Sequence, residues 1–370
     1  MSWNIRENVL FLHPVCMSKC VDAKGFIMRV LITCFSSISN VAAIVPQLYG
    51  LVNDYPNHEF IVLSREFLSP LFDKLPRVTF VGGDIRGAHK TPIGVYRLYR
   101  QLKALRPDVV LDMQRSWRTR MIARLFALSG TKTLKVGFAR AEQRRLIRKG
   151  AQKYHTIPTI FDRQARLYAK VRLKVNDSFV KLYNPSLKQQ DKIKSLYGAK
   201  QGHWIGIAPF SIARGKTLPF RKTKNIIAHF DKQPDTKIFL FGAGEMENEL
   251  LSDWQSLYNN VYAVHTNLQL DDELALMNSL DVMVCMDSAN MHLASLMVVP
   301  VVSVWSATHP HSGFLGWKQS VDNCVGVEFS CRPCTAHSDR KCKFGDYRCL
   351  ESLHSSKIIE VIEKNLEKTK

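Results

Sequence analysis

Asp287-Ser288-Ala289-Asn290-Met291-His292-Leu293-Ala294 is the most informative segment of the sequence. An apolar run precedes it at 282–285 and another follows at 298–305, which predicts strand, turn, helix and strand. In a parallel sheet this turn lies at the carboxyl edge of the strands, where a helix start favours anions. It therefore suits a diphosphate at the backbone amides and hydroxyl groups at Asp287. The alternative is an ordinary helix N-cap at Asp287 or Ser288.

The same alternation of strands and helices extends through both halves of the chain and predicts an α/β fold with parallel sheets. The predicted strands lie at 29–35, 60–63, 78–81, 108–112, 204–209, 238–241, 261–264, 281–286 and 298–305. The predicted helices lie at 41–52, 93–105, 117–128, 224–230, 270–280 and 355–366. Two such halves imply a cleft between them, and clefts between domains are preferred ligand sites.

The 370 residues suit two domains, and a hydrophobic content of 46% allows substantial cores. The expected units are an N-terminal extension, an N-terminal domain, a C-terminal domain and a terminal helix, at 1–27, 28–200, 201–354 and 355–370. The pattern changes sharply at Met28, which suggests a natural start there; a disordered tail is the alternative for 1–27. This segment has no clean apolar core of a secretion signal.

The formal net charge of +20 is unevenly distributed. Residues 86–225 contain 33 Lys and Arg against 6 Asp and Glu. Such a block indicates an anionic partner, the alternative being a solvated basic face. Because no recognisable nucleic-acid module accompanies it, nucleic acid is not the expected partner. No apolar run reaches the roughly 18 residues that a membrane span needs.

Four of the nine cysteines cluster in the segment 331–349. Cysteine usage without a secretion signal fits a reducing, cytoplasmic setting in which disulfides are rare. Four thiolates at this spacing predict a closed structural zinc site, and free or buried thiols are the alternative. The candidate ligands are Cys331, Cys334, Cys342 and Cys349.

Two further loops follow predicted strands of the second half. In the loop 208–219, Ser211 and Lys216 are placed to meet phosphate groups, although an exposed basic loop has the same composition. Gly242-Ala243-Gly244 allows close backbone approach, or forms an ordinary turn. Glu245 and Glu247 either meet ribose hydroxyls or occupy the first turn of a helix.

These loops, together with Ser36-Ser37-Ile38, resemble the heptosyltransferases of glycosyltransferase family 9, which build the lipopolysaccharide core. The resemblance runs from about Met28 to the C-terminus, and the Asp287 motif is its most specific part. It implies a GT-B fold, in which two Rossmann-like parallel-sheet domains face a cleft. It also implies inverting transfer from ADP-heptose without a catalytic metal or other cofactor.

The resemblance also implies roles for individual residues. Lys216 and Ser211 would contact the donor phosphates, Asp287 the sugar hydroxyls and Leu268 the adenine. The implied donor-binding set is Ser211, Lys216, Gly242, Gly244, Glu245, Glu247, Leu268, Asp287, Ser288, Ala289, Asn290, Met291 and His292. The implied acceptor-binding set is Ser36, Ser37, Arg115, Arg118, Arg120, Arg140, Arg144 and Arg145. The acceptor would be an anionic glycolipid at the inner face of the inner membrane, which the protein contacts peripherally.

One departure from the family pattern affects the expected chemistry. The family usually has Asp as general base for the acceptor hydroxyl where this chain has Asn40. An amide cannot take that proton, and losing general-base catalysis costs about 10²- to 10⁴-fold in rate. Asp112 or a substrate phosphate is the alternative base. The alternative function is a catalytically impaired homologue that binds sugar nucleotide or glycolipid.

Overall fold

The computed structural model describes residues 27–150, 157–264, 268–335 and 341–368. The predicted extension at 1–27 lies outside the described residues except for its last residue. The described residues form two parallel β-sheets of five and six strands, with helices packed against both. No helix within these ranges is long and apolar enough to cross a membrane.

The first sheet and its helices come from the N-terminal half. Its strands are β1 (Arg29–Thr33), β2 (Glu59–Ser64), β3 (Val78–Gly82), β4 (Val109–Asp112) and β5 (Lys132–Lys135). The helices of this half are α1 (Ile38–Ala42), α2 (Val45–Asp54), α3 (Pro92–Ala104), α4 (Trp117–Leu128), α5 (Arg140–Lys149), α6 (Ile160–Ala169) and α7 (Leu187–Tyr197).

The second sheet and its helices come from the C-terminal half. Its strands are β6 (His203–Ala208), β7 (Thr236–Phe241), β8 (Val261–Val264), β9 (Val282–Met286), β10 (Val301–Val304) and β11 (Cys324–Val325). The helices of this half are α8 (Phe220–Phe230), α9 (Glu245–Ser256), α10 (Leu270–Met277), α11 (Ala289–Leu296), α12 (Arg348–Glu351) and α13 (Ser355–Glu367).

Strand order places a ligand crevice in each sheet. The first sheet has the order β3-β2-β1-β4-β5 and the second has the order β11-β10-β9-β6-β7-β8. The order therefore reverses between β1 and β4, and again between β6 and β9. In doubly wound sheets the crevice at this reversal, beyond the carboxyl ends of the strands, is the usual ligand site.

The central strands are continuous apolar runs because helices cover both faces of each sheet. In β1 the side chains of Val30, Leu31 and Ile32 are fully buried, and in β9 every residue is buried. Strand β5 was not predicted, because this edge strand reads Lys-Thr-Leu-Lys and lacks an apolar run. The helix predicted at 41–52 is two helices: α1 ends at Ala42 and α2 begins at Val45, with Pro46 in its first turn.

The two halves pack directly against each other. Helix α1, which follows β1, contacts α11, which follows β9, and buried residues of both belong to one hydrophobic cluster. The Trp317 ring packs edge-on against Phe161 at a centroid distance of 4.9 Å. The backbone N–H of Leu182 donates to the carbonyl of Leu296 over 2.9 Å. These contacts bring the carboxyl edges of the two sheets to opposite sides of one cleft.

Two helices near the ends of the halves also pack on the second sheet's layer. Helix α7 contacts α10, with Lys192 Nζ 2.5 Å from Asp272 Oδ2. Helix α13 packs on α8, β9 and β10. Asn323 and Asn365 exchange two side-chain hydrogen bonds of 3.1 Å beneath α13. The terminal helix is thus an integral part of the C-terminal half.

Candidate active site

The loops after β6 and β9 meet at the reversal point of the second sheet. The loop after β6 includes a short 3-10 helix at Arg214–Lys216, and the loop after β9 begins with Asp287. Lys216 Nζ lies 2.9 Å from Asp287 Oδ2, and the two side chains are 13% and 11% exposed. The structure therefore pairs the two residues that the sequence assigns to phosphate and hydroxyl binding.

The start of α11 faces the same loops. Ser288 is the N-cap residue, and its side chain makes no capping hydrogen bond. Ser288 Oγ is buried and has no hydrogen-bond partner among the described residues. Asp287 bonds to Lys216 instead of capping the helix. Ser288 therefore occupies the N-cap position without a side-chain cap, and the backbone amides at the helix start remain suited to an anion.

His292 lies within α11 and is buried. Burial lowers its pKa to about 4, against the opposing effect of the Asp287 carboxylate and with a smaller contribution from the Lys216 ammonium group. The imidazole is therefore neutral at pH 7. The contact of His292 with the donor that the resemblance implies stays a prediction.

The loop after β6 is folded by its own hydrogen bonds. The Thr217 hydroxyl accepts from the Ser211 backbone N–H over 3.2 Å and donates to the Ser211 carbonyl over 3.1 Å. The Leu218 N–H donates to the Pro209 carbonyl over 2.9 Å and closes the base of the loop. Ser211 and Lys216 are thus held on one compact turn at the edge of the cleft.

The glycine-containing turn lies between β7 and α9. Gly244 has a φ of +96°, a value that favours glycine, and it is the N-cap of α9. Glu247 Oε2 accepts a hydrogen bond from the Ala243 N–H over 2.8 Å, so this carboxylate fixes the turn. Glu245 is exposed at the first position of α9. Between the two glutamates, Glu245 is the one whose side chain is open to solvent.

Leu268 lies between β8 and α10, directly after residues 265–267, which are outside the described ranges. Its side chain is 9% exposed and belongs to the hydrophobic cluster shared by the two halves. The role at the adenine that the resemblance implies stays a prediction.

On the opposite side of the cleft, Asn40 lies in helix α1, which follows β1. Asn40 Nδ2 donates to the Ser36 carbonyl over 3.2 Å. Gln114, from the loop after β4, donates through Nε2 to Ser36 Oγ over 2.7 Å and accepts from the Phe35 N–H over 2.7 Å. Ser37 is the N-cap of α1. Gln114, which the sequence did not single out, therefore holds the short loop between β1 and α1, the helix that contains Asn40.

Asp112 is the carboxylate that the sequence offered as a substitute base. It is 2% exposed, and its Oδ1 accepts the backbone N–H groups of Gln114 over 3.0 Å and Arg115 over 2.7 Å. These bonds fix the turn after β4. Its burial and these bonds give Asp112 a structural function in this conformation.

A cavity of about 370 Å³ lies beside Asn40, between the two halves. Its lining includes Arg140, Arg144 and Arg163, and its described lining contains no carboxylate. Phe314 and Thr335 contribute from the C-terminal half. The cavity is therefore electropositive, contains the position of the family base and suits an anionic molecule.

The other predicted acceptor residues have different surroundings. Arg115 and Arg140 stack against the Phe138 ring at 4.5 and 4.7 Å from its centroid. Arg118 donates to the carbonyls of Ile85 and His89, so it holds a surface loop. Arg120 and Arg145 are exposed on α4 and α5 and are not among the residues that line the cavity.

Comparison with known proteins identifies the family. The family model described as "Glycosyltransferase family 9 (heptosyltransferase)" matches residues 95–345, more than half of the chain. The chain belongs to glycosyltransferase family 9. A comparison with curated protein sequences gives no match.

Solved structures of other family 9 proteins have the same fold. A family 9 glycosyltransferase from Veillonella parvula is 17% identical, with 92% of this chain and 98% of that chain covered and a TM-score of 0.73. Escherichia coli ADP-heptose LPS heptosyltransferase II is 16% identical, with 92% and 99% covered and a TM-score of 0.67. E. coli heptosyltransferase WaaC with ADP is 17% identical, with 91% and 100% covered and a TM-score of 0.63. The predicted GT-B arrangement is confirmed.

The Cys-rich segment 331–349 lies beside the loops after β6 and β10. The Cys334 N–H donates to the Ala307 carbonyl over 3.0 Å, and the Arg214 guanidinium lies over the Tyr347 ring. The four cysteines of the segment are free thiols, and burial raises the pKa of Cys349 to about 11. Within the described ranges, no group of three or more His, Cys, Asp or Glu side chains is arranged to hold a metal ion. The thiols in this conformation do not form a ligand set, and the zinc site stays a prediction.

We expect elemental analysis of purified protein to find about one zinc per chain if the sequence prediction is correct. A Cys331→Ser and Cys342→Ser double variant would then lose the metal. The prediction would be contradicted if the protein, once its metal has been removed, melts at the same temperature as before.

We expect Lys216→Met to weaken ADP binding about 10- to 100-fold, because a charge-assisted hydrogen bond to a diphosphate is lost. Isothermal titration calorimetry with ADP measures the change. Lys232→Met, which removes an exposed lysine from the same half, is the matched control and should leave the affinity unchanged. Equal affinity in wild type and Lys216→Met would exclude Lys216 from the phosphate site.

Proposed function

We propose that this family 9 enzyme transfers a heptose, or a related sugar, from an ADP-sugar to an anionic glycolipid such as a lipopolysaccharide core. The observation that carries the proposal is the pairing of Lys216 with Asp287 at the start of α11, across the cleft from the arginine-lined cavity beside Asn40. Related structures support the donor class: WaaC has been solved with ADP and with ADP-2-deoxy-2-fluoro heptose.

In the proposed reaction an acceptor hydroxyl oxygen attacks the anomeric carbon in line with the bond to the β-phosphate. The new C–O bond forms as the bond to the diphosphate breaks, so the anomeric configuration inverts. ADP leaves with the bonding electron pair, and the hydroxyl proton passes to an ionised phosphate or carboxylate oxygen of the acceptor or to water. Lys216 and the amides at the start of α11 stabilise the negative charge that develops on the diphosphate. None of these steps uses a metal.

In this proposal the arginines of the cavity bind the acidic groups of the acceptor. Arg140, Arg144 and Arg163 present guanidinium groups, which pair with carboxylate or phosphate oxygens in bidentate geometry. Because no carboxylate is found in the described lining, bound acidic groups meet no like charge there.

We expect wild-type protein to bind ADP-heptose more tightly than ADP, and to bind UDP-glucose much more weakly than either. The sugar hydroxyls add hydrogen bonds to the side chain of Asp287, which ADP alone does not make. Calorimetric titration with the three ligands measures the order. Equal or absent binding of all three would overturn the donor assignment.

A second candidate function follows from Asn40: a homologue that binds donor and acceptor without efficient turnover. The amide cannot accept the proton, and Asp112 is held by backbone N–H groups. In the main proposal the proton goes to an ionised phosphate or carboxylate oxygen of the acceptor or to water, and because these are weak bases the reaction is slow.

We expect Asn40→Asp to raise the transfer rate about 10²- to 10⁴-fold, because it supplies a general base. Transfer from ADP-heptose to purified glycolipid, followed by mass spectrometry, measures the rate. Asn40→Ala is the control and should give no gain. A wild type that binds ADP-heptose and transfers nothing, rescued by Asn40→Asp, would favour the binding homologue. No gain in the Asp variant would exclude this position as the site of the base.

We also propose that α3 and α4 contact the anionic surface of a membrane. These two helices contain six Lys and Arg and no Asp or Glu. A groove between them is lined by tyrosine, leucine and basic side chains. Ile93 and Leu128 expose 68% and 86% of their surface beside these charges. Apolar side chains among basic residues are typical of surfaces that bind anionic lipid.

We expect Leu128→Asn to reduce binding to vesicles about 5-fold, because its apolar side chain no longer enters the lipid interface. Co-sedimentation with phosphatidylcholine vesicles, with and without phosphatidylglycerol, measures binding. Leu257→Asn changes a leucine that is 62% exposed on the other half and should have no effect. Equal losses in the two variants, or binding without dependence on phosphatidylglycerol, would contradict this surface assignment.

A further inference from the structure

A second side chain, besides Lys216, reaches the carboxylate of Asp287 from outside the family motifs. Thr308, in the loop after β10, is fully buried, and its Oγ1 donates to Asp287 Oδ2 over 2.8 Å. Lys216 Nζ contacts the same oxygen over 2.9 Å. No hydrogen bond to Asp287 Oδ1 is found among the described residues. Two donors on one oxygen fix the carboxylate plane and leave the other oxygen available for a ligand.

The loop that carries Thr308 is held from behind by Arg332. This arginine is 2% exposed and donates through Nε to the Ser306 carbonyl over 2.5 Å. Its Nη2 donates to the carbonyls of Trp305 over 3.0 Å and Thr308 over 3.2 Å. Most hydrogen bonds of the buried guanidinium are therefore donated to backbone carbonyls, and these bonds hold the loop in place.

The same loop also fixes the turn that presents Lys216. Ser306 Oγ donates to the Gly215 carbonyl, and the Ala307 N–H donates to that carbonyl over 3.4 Å. One buried loop therefore positions the carboxylate through Thr308 and the backbone next to Lys216 through residues 306 and 307.

We propose that Thr308 is a positioning residue for recognition of the donor sugar. Its hydroxyl holds Asp287 so that Oδ1 faces the sugar hydroxyls, while Arg332 holds the loop that carries it. This inference rests on the proposed function, in which Asp287 binds the sugar of an ADP-sugar. It assigns to Thr308 a role in sugar affinity that is separate from nucleotide affinity.

The test compares Thr308→Val with Thr308→Ser by calorimetric titration with ADP-heptose and with ADP. Valine keeps the shape without the hydroxyl, and serine keeps the hydroxyl. The expected result for Thr308→Val is about 10-fold weaker binding of ADP-heptose with ADP binding unchanged, because a hydrogen bond to an ionised group is lost. Thr308→Ser should bind both ligands as wild type does.

Two results would overturn the inference while leaving the proposed function intact. One is wild-type affinity of Thr308→Val for ADP-heptose. The other is an equal loss for ADP and ADP-heptose, which indicates a general structural change. Failure of the wild type to bind ADP-heptose would instead overturn the proposed function, and the inference with it.

Discussion

Three loops of the C-terminal half meet at the carboxylate of Asp287, and the arrangement of the proposed donor site depends on this contact. Lys216 comes from the loop after β6, Asp287 from the loop after β9 and Thr308 from the loop after β10. The ion pair is largely buried, so its desolvation cost is offset only by good geometry and the additional hydrogen bond. Positive charge and helix start are thereby arranged before any ligand arrives, which is how electrostatic catalysis is most effective.

The second constraint is the packing of the two halves. Helices α1 and α11 each follow the central strand of a sheet next to its reversal point, and they contact each other. Asn40 in α1 and the turn with Asp287 are therefore brought to the same cleft by one interface. The arginine-lined cavity lies in that interface, since Phe314 and Thr335 complete its wall. A change in the relative position of the halves would therefore alter the shape of this cavity and the position of the Asp287 turn at the same time.

The fold and the positions of the loops after β6 and β9 were predictable because their signals are local. Apolar runs of four to six residues mark buried strands, and the Asp287 motif lies within one strand-turn-helix unit. Thr308 and Arg332 were missed because their functions depend on contacts 21 to 27 residues away in sequence. Arg118 belongs to the predicted acceptor-binding set, but from its position on α4 it donates hydrogen bonds to backbone carbonyls. Composition therefore predicts charge, whereas only tertiary packing decides which charges face the cavity.

A crystal structure of the protein with bound ADP-heptose would show directly how the donor is held. We expect the diphosphate to lie between Lys216 and the start of α11, and Asp287 Oδ1 to accept a hydrogen bond from the sugar. Thr308 should keep its bond to Oδ2 in the complex. A nucleotide bound elsewhere, or a sugar that does not contact Asp287, would contradict this assignment of the donor site.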